Sequence, residues 1–265
     1  MGLDVTYKGQ QIAQLTEDGN LTLETAGKYC EGDIELAYSG GGGDFLKYAT
    51  SIQYTFSYMT DGPDEFILDV PNVTSFTYGM SAYWQPKRFI LKLSNAGLCT
   101  KMLGACRWLT STYRLEYIKI TGDLSNVTSY QNCFYSISNT NNVVIDADID
   151  FSSATNVTGM FGHAWDITSI RFVQNTLKID LNMESCRALD DASLISLANC
   201  LNESVTQKTL KCHETVQPRL AALLGTVSLD TATQTYHVFT ADPNGSTTLA
   251  DFITTTKGWT LTWSI

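Results

Sequence analysis

Residues 115–120 read LEYIKI and residues 167–172 read ITSIRF. Both follow the pattern L-x-x-L-x-L, with Leu115 and Ile167 in the first place, and they decide the fold. Side chains along a strand alternate between two faces, so the last two apolar residues of each run point one way and the residue between them points the other. Three further runs share the apolar-x-apolar ending: ILDV at 67–70, ILKL at 90–93 and VIDA at 144–147. Aligned on these endings, one inward column is Leu68, Leu91, Ile118, Ile145 and Ile170. The second is Val70, Leu93, Ile120, Ala147 and Phe172. A single strand cannot bury such a face, but stacked turns let parallel strands share a continuous core. The expected fold is therefore a β-rich α/β solenoid, a leucine-rich-repeat stack of parallel strands with about five to six turns.

Asn-Val-Thr occurs at 72–74, 126–128 and 156–158. The triplet is a glycan acceptor pattern, yet its recurrence after the strands favours a structural role. Asn and Thr side chains hydrogen-bond the backbone groups that leave a strand. The return segments NVTSYQNCF, NVTGMF and NAGLCTKMLGAC then place Phe134, Phe161 and Met102 on an apolar inner side.

The two ends differ from the middle. Residues 1–38 hold short alternating runs between Gly-bearing turns, which predicts a small β module for attachment or assembly. The glycine-rich stretch 39–44 reads as a linker without side chains to pack. Residues 45–265 form the solenoid and its C-terminal cap. In that cap DDASLISLANCLNES has Asp190 or Asp191 as helix cap and Leu194, Leu197 and Leu201 at helical spacing. KTLKCH at 208–213 predicts another strand, VQPRLAALLGT another helix, and the aromatic tail a closing strand.

The net charge of −10 argues against nucleic acid and anionic membranes as partners, because their phosphates repel it. No run of 18 apolar residues exists for a membrane span, and the start MGLDVTYKGQ lacks the pattern of a signal peptide. The seven cysteines, several of them in apolar surroundings and without a Cys-x-x-Cys pair, predict buried free thiols rather than a disulfide framework or a zinc site.

The repeat resembles the BspA-type leucine-rich repeats of bacterial surface proteins, in which NVTxMF turns are typical. The closing block, from SCRALDDASLISLANCLN through KTLKCH to TLADFITTTKGWTL, resembles the ending of leucine-rich-repeat proteins of prophages in Firmicutes and gut bacteria. GKYCEGDIEL before the glycine linker is similar to the N-terminal segment of tail-associated proteins from the same phages. The resemblance implies a phage or prophage tail fibre or tip protein without enzymatic activity or cofactor. Such a chain would assemble in the host cytoplasm and reside in the virion. Its residues 1–38 would contact other tail proteins and build a homo-oligomer, a trimer being favoured, and its solenoid would bind a cell-surface glycan or protein receptor. A bacterial surface adhesin is one alternative, and a glycan-degrading tail enzyme a second.

Candidate residues follow from the same strands. The outward position between the two columns holds Asp69, Lys92, Lys119, Asp146 and Arg171, with Tyr117 beside them. This is a ladder of mixed charge suited to a polar partner, and equally suited to keeping a solvated sheet from aggregating. Asp146, Asp148 and Asp150 share one strand face at steps of about 7 Å, a spacing that glycoside hydrolysis or a calcium site would use. Tyr83 and Trp84, with Tyr78, Trp108 and Tyr113, are candidate sugar-stacking platforms. His163 in FGHAW reads as a turn or packing residue.

Overall fold

A computed structural model describes residues 3–7, 10–15, 20–22, 49–53, 64–78, 86–107, 115–138, 142–205, 207–222, 227–230, 235–238 and 248–264. The strands run in chain order from β1 (Leu3–Tyr7), β2 (Gln10–Leu15), β3 (Asn20–Thr22) and β4 (Ser51–Gln53) to β5 (Glu65–Asp69), β6 (Ser75–Thr77) and β7 (Arg88–Lys92). They continue through β8 (Lys101–Leu103), β9 (Tyr117–Thr121), β10 (Val143–Ile149) and β11 (Ile167–Phe172). Strands β5, β7, β9, β10 and β11 pair side by side in one parallel sheet. A second sheet on the return side has parallel strands β4, β6 and β8, and single bridges at Ser129 and Asn156 carry its line onward. The chain is a β-solenoid of about five turns, as the recurring strand pattern predicts.

Burial alternates as that pattern requires: in β9 Ile118 and Ile120 are buried, while Tyr117, Lys119 and Thr121, which alternate with them, are half-exposed. The aligned columns, however, contain a slip. Leu91 pairs in register with Ile120, not Ile118, and Phe89 pairs with Ile118. The inward columns are thus Phe66, Phe89, Ile118, Ile145 and Ile170, and beside it Leu68, Leu91 and Ile120. Phe66 and Phe89 are stacked with ring centres 5.9 Å apart. Farther along, Ile149 rather than Ala147 lies beside Phe172, because β10 carries extra residues. Phe134, Phe161 and Met102 are buried as expected, and Phe134 stacks on Phe161 at 5.7 Å.

The return sheet is pinned by a threonine ladder. The Oγ1 atoms of Thr74, Thr100, Thr128 and Thr155 each donate to the carbonyl of the threonine one turn back, at 3.0, 3.1, 2.9 and 3.1 Å. The four backbone N–H groups donate to the same carbonyls at 2.7–2.8 Å. This ladder corrects the reading of the Asn-Val-Thr triplets. Thr74 and Thr128 close the first two, but in the third the ladder position is Thr155, ahead of Asn156. Asn156 therefore bridges Ser129 instead of matching Asn126. Beyond the ladder the backbone turns left-handed at one aligned position in each turn: Tyr78, Gly104, Asn132 and Gly159 have φ of 50°, 58°, 53° and 64°.

The last coil is closed by the helix Asp191–Cys200. Asp190 caps it by accepting from the Ser193 N–H at 2.7 Å. Ser193 Oγ accepts from the Ile170 N–H at 2.9 Å and Ser196 Oγ from the Phe172 N–H at 2.8 Å. Strand β11 is the edge of its sheet, so these serines satisfy backbone donors that no strand takes up. Strand β12 (Leu181–Met183) precedes this helix, and β13 (Thr209–His213) follows it, ahead of the short helix Gln217–Ala222. The hairpin of β14 (Val227–Asp230) and β15 (Thr235–Val238) and the closing strand β16 (Thr260–Ser264) complete the chain, with β12, β13 and β16 forming a parallel sheet. The Trp259 indole N–H donates to the Asn202 carbonyl at 3.0 Å, and buried Lys257 reaches Glu203 at 2.6 Å, which locks the tail under the stack.

At the other end β1 to β3 continue the return sheet, with β3 parallel to β4 through Asn20–Ser51 and Leu21–Ile52. The linker expected at 39–44 lies outside the described residues. Six cysteines, Cys99, Cys106, Cys133, Cys186, Cys200 and Cys212, are buried free thiols. No helix among the described residues is long and apolar enough to cross a membrane.

Candidate recognition faces

The outward side of the five-stranded sheet carries the first site. Register places Glu65, Arg88 and Tyr117 in one row and Ile67, Ile90, Lys119 and Asp146 in the next. Asp69, Lys92 and Thr121 form a third. The predicted charge ladder is therefore two groups, since the slip sets Asp69 and Lys92 one row away from Lys119 and Asp146. Between Ile145–Ile170 and Asp148–Arg171 the register jumps, leaving Asp146 and Ala147 as extra residues in β10. That bulge puts two carboxylates within reach of one guanidinium. Arg171 contacts Asp146 at 3.0 Å and Asp148 at 2.9 Å.

Asp146 is the hub. Its other oxygen accepts from the Tyr117 hydroxyl at 2.5 Å and meets the Lys119 ammonium at 3.2 Å. Burial alone would push the Asp146 carboxyl up, but the Tyr117 hydroxyl, Arg171 and Lys119 outweigh it and hold the group below its ordinary range. Burial and the Asp146 carboxylate push the Tyr117 phenol up, so it remains a donor. Burial would pull Arg171 down, but Asp148 and Asp146 raise it instead. The network extends through Arg88, whose guanidinium lies 4.2 Å from the Tyr117 ring centre and 3.0 Å from Glu65. Tyr117, Lys119, Asp146 and Arg171 are thus brought together as one cluster.

The Asp146/Asp148/Asp150 row does not act as a unit. Asp150 turns into the following loop and accepts from the Ser152 N–H at 2.7 Å. A general acid needs a carboxyl held protonated, and Asp146 is held the opposite way. Among the described residues no group of three or more His, Cys, Asp or Glu side chains is placed to hold a metal.

A second feature escaped the sequence reading. Along one edge of the coil run Tyr78, Arg107, Tyr135, His163, Trp165 and Arg187, contributed by successive turns. The Arg107 guanidinium sits between two rings, 5.4 Å from the centre of Tyr78 and 4.8 Å from that of Tyr135. Tyr135 meets His163 edge-on at 5.3 Å, His163 meets Trp165 at 5.7 Å, and Arg187 lies 5.5 Å from Trp165. Glycines make room for these rings. A Cβ on Gly104 would come within 2.8 Å of the Tyr78 ring, and one on Gly162 within 2.7 Å of the Tyr135 ring. His163 is an exposed member of this stripe with φ of 54°, so the turn role expected for it stands. Tyr83, Trp84, Trp108 and Tyr113 lie outside the described residues. No local sequence signal marks the pairing of Arg107 with Tyr135, which only the register of the return sheet supplies.

A polar groove of about 500 Å³ also opens beside the threonine ladder, lined in part by Thr155, Asn156, Thr158, Asp180, Asn182 and Lys211. No family model matches the chain, and no curated protein or solved structure matches it either.

Proposed function

We propose that this chain is a non-enzymatic recognition solenoid, the outward part of a phage or prophage tail that binds a cell-surface receptor. The observation that supports it is the Glu65–Arg88–Tyr117–Lys119–Asp146–Arg171–Asp148 network on a sheet of fixed strand spacing. Its donors and acceptors are oriented before any partner arrives, which lowers the ordering entropy of binding. Attachment through residues 1–38 to other tail proteins, as a homo-oligomer in the virion, belongs to the same proposal and draws on the resemblance of the chain's ends.

The test is binding of the labelled full chain to intact bacteria of candidate host strains, with Arg171→Gln and Tyr117→Phe as variants. Saturable binding weakened by both variants supports the reading. An absence of binding across hosts, or binding indifferent to both variants, removes this face from it.

A further inference from the structure

We propose that the stripe Tyr78–Arg107–Tyr135–His163–Trp165–Arg187 is a binding site for an anionic polysaccharide. Of the five described arginines, Arg88, Arg171 and Arg219 are paired with carboxylates, and the two that are not, Arg107 and Arg187, both lie on this stripe. The chain carries ten more acidic than basic side chains, so two unpaired guanidiniums on one edge form a local exception to its surface. Arg107 is held by ring faces instead of by an acceptor, and its buried Nε has no hydrogen-bond partner. A guanidinium stacked by its face keeps its remaining N–H edge for a carboxylate or phosphate.

The rest of the stripe fits sugar. Trp165 is 39% exposed, one of two large apolar side chains so exposed among the described residues. Aromatic rings with one wet side suit the apolar faces of pyranose rings. The stripe crosses about four steps of ~4.8 Å between turns, a length of roughly 20 Å. That is the shape of an extended oligomer rather than of a single sugar. A repeating anion along such a chain meets cations at intervals, and the sugar between anions meets the rings. This site is separate from the sheet face, and its test uses defined oligomers, so it stands or falls apart from the host-receptor reading.

The experiment is calorimetric titration of the full chain with four probes of similar length. They are oligogalacturonate, a phosphodiester-linked glucose oligomer, a neutral malto-oligosaccharide and single-stranded DNA. The first carries carboxylates and the second phosphodiesters, so the two arms tell which anion the stripe takes. Binding of at least one, with the neutral oligomer and DNA much weaker, supports the proposal. Arg187→Gln and Trp165→Ala are each expected to weaken that binding about tenfold, while Lys178→Gln, an equal change of charge elsewhere, leaves it unchanged. A thermal midpoint for each variant shows that the fold survives. The proposal is overturned if neither anionic oligomer binds, if DNA or the neutral oligomer binds as tightly, or if folded Arg187→Gln and Trp165→Ala bind like the parent.

Discussion

Removing the two helix serines that cover the edge of β11 tests how the solenoid ends. In Ser193→Ala/Ser196→Ala the N–H groups of Ile170 and Phe172 lose acceptors now at 2.9 and 2.8 Å. Ile170, Phe172, Ser193 and Ser196 are all buried, so water cannot replace the lost bonds without opening the helix–sheet contact. Each unsatisfied buried donor costs about 1–3 kcal/mol, and the better helix propensity of Ala returns at most about 0.5 kcal/mol per site. The double variant should therefore lose roughly 1–5 kcal/mol, a large share of an ordinary total of about 5–15 kcal/mol. The two sites touch neighbouring residues of one strand, so their effects need not add. Urea unfolding followed by circular dichroism gives the loss, with a thermal midpoint falling by roughly 2–20 °C. The single variants should each show part of it. A double variant within 0.5 kcal/mol of the parent, a threshold of about the usual surface effect, would refute the idea that these hydroxyls close the sheet edge.

Gly122→Ala should destabilise by at least about 1–3 kcal/mol, because φ is 119° and the new Cβ would also meet the Leu93 backbone at 2.8 Å; urea midpoints check it. Thr128→Val should cost about 1 kcal/mol by removing one ladder hydroxyl, measured the same way. A thiol reagent should modify at most one of the seven cysteines in the native chain. Burial shields the other six, pushing Cys99 and Cys212 up to about 12 and Cys186, Cys200 and Cys133 up as well. Fast loss of more than one thiol would contradict this. Asp146 is held below its ordinary range when folded, so its stabilisation is complete above the unfolded value, roughly pH 4. It is lost as pH falls through the folded value. Asp146→Asn should be less stable than the parent at pH 7 and lose less on acidification below about pH 4, as acid titrations of stability would show.

Strand existence was legible because alternation in EFILD, RFILK and YIKIT reports one buried face directly. The register was not. A slip of two residues keeps every side chain on its own face, so alternation cannot detect it. The run Phe89-Ile90-Leu91 offers two equally apolar alignments with Ile118 and Ile120, and the return path decides between them. The cap helix was readable, since Asp190 begins it and Leu194, Leu197 and Leu201 are buried, all local features. The threonine ladder and the aromatic stripe were not, because each depends on which residues of distant turns come level. Asn156 shows the limit most plainly: its triplet matches two others in sequence but sits three residues further along the coil. Tyr117, Lys119, Asp146 and Arg171 were legible as outward strand positions, but their coming together depends on a bulge that no periodicity announces.

The most direct measurement is co-sedimentation of the full chain with insoluble host cell envelope, with reducing ends assayed in the supernatant. A recognition solenoid pellets with the envelope in a saturable way and releases no sugar. Release of reducing ends that scales with protein would make it an enzyme, and protein that stays in the supernatant for every host envelope would deny it a surface receptor.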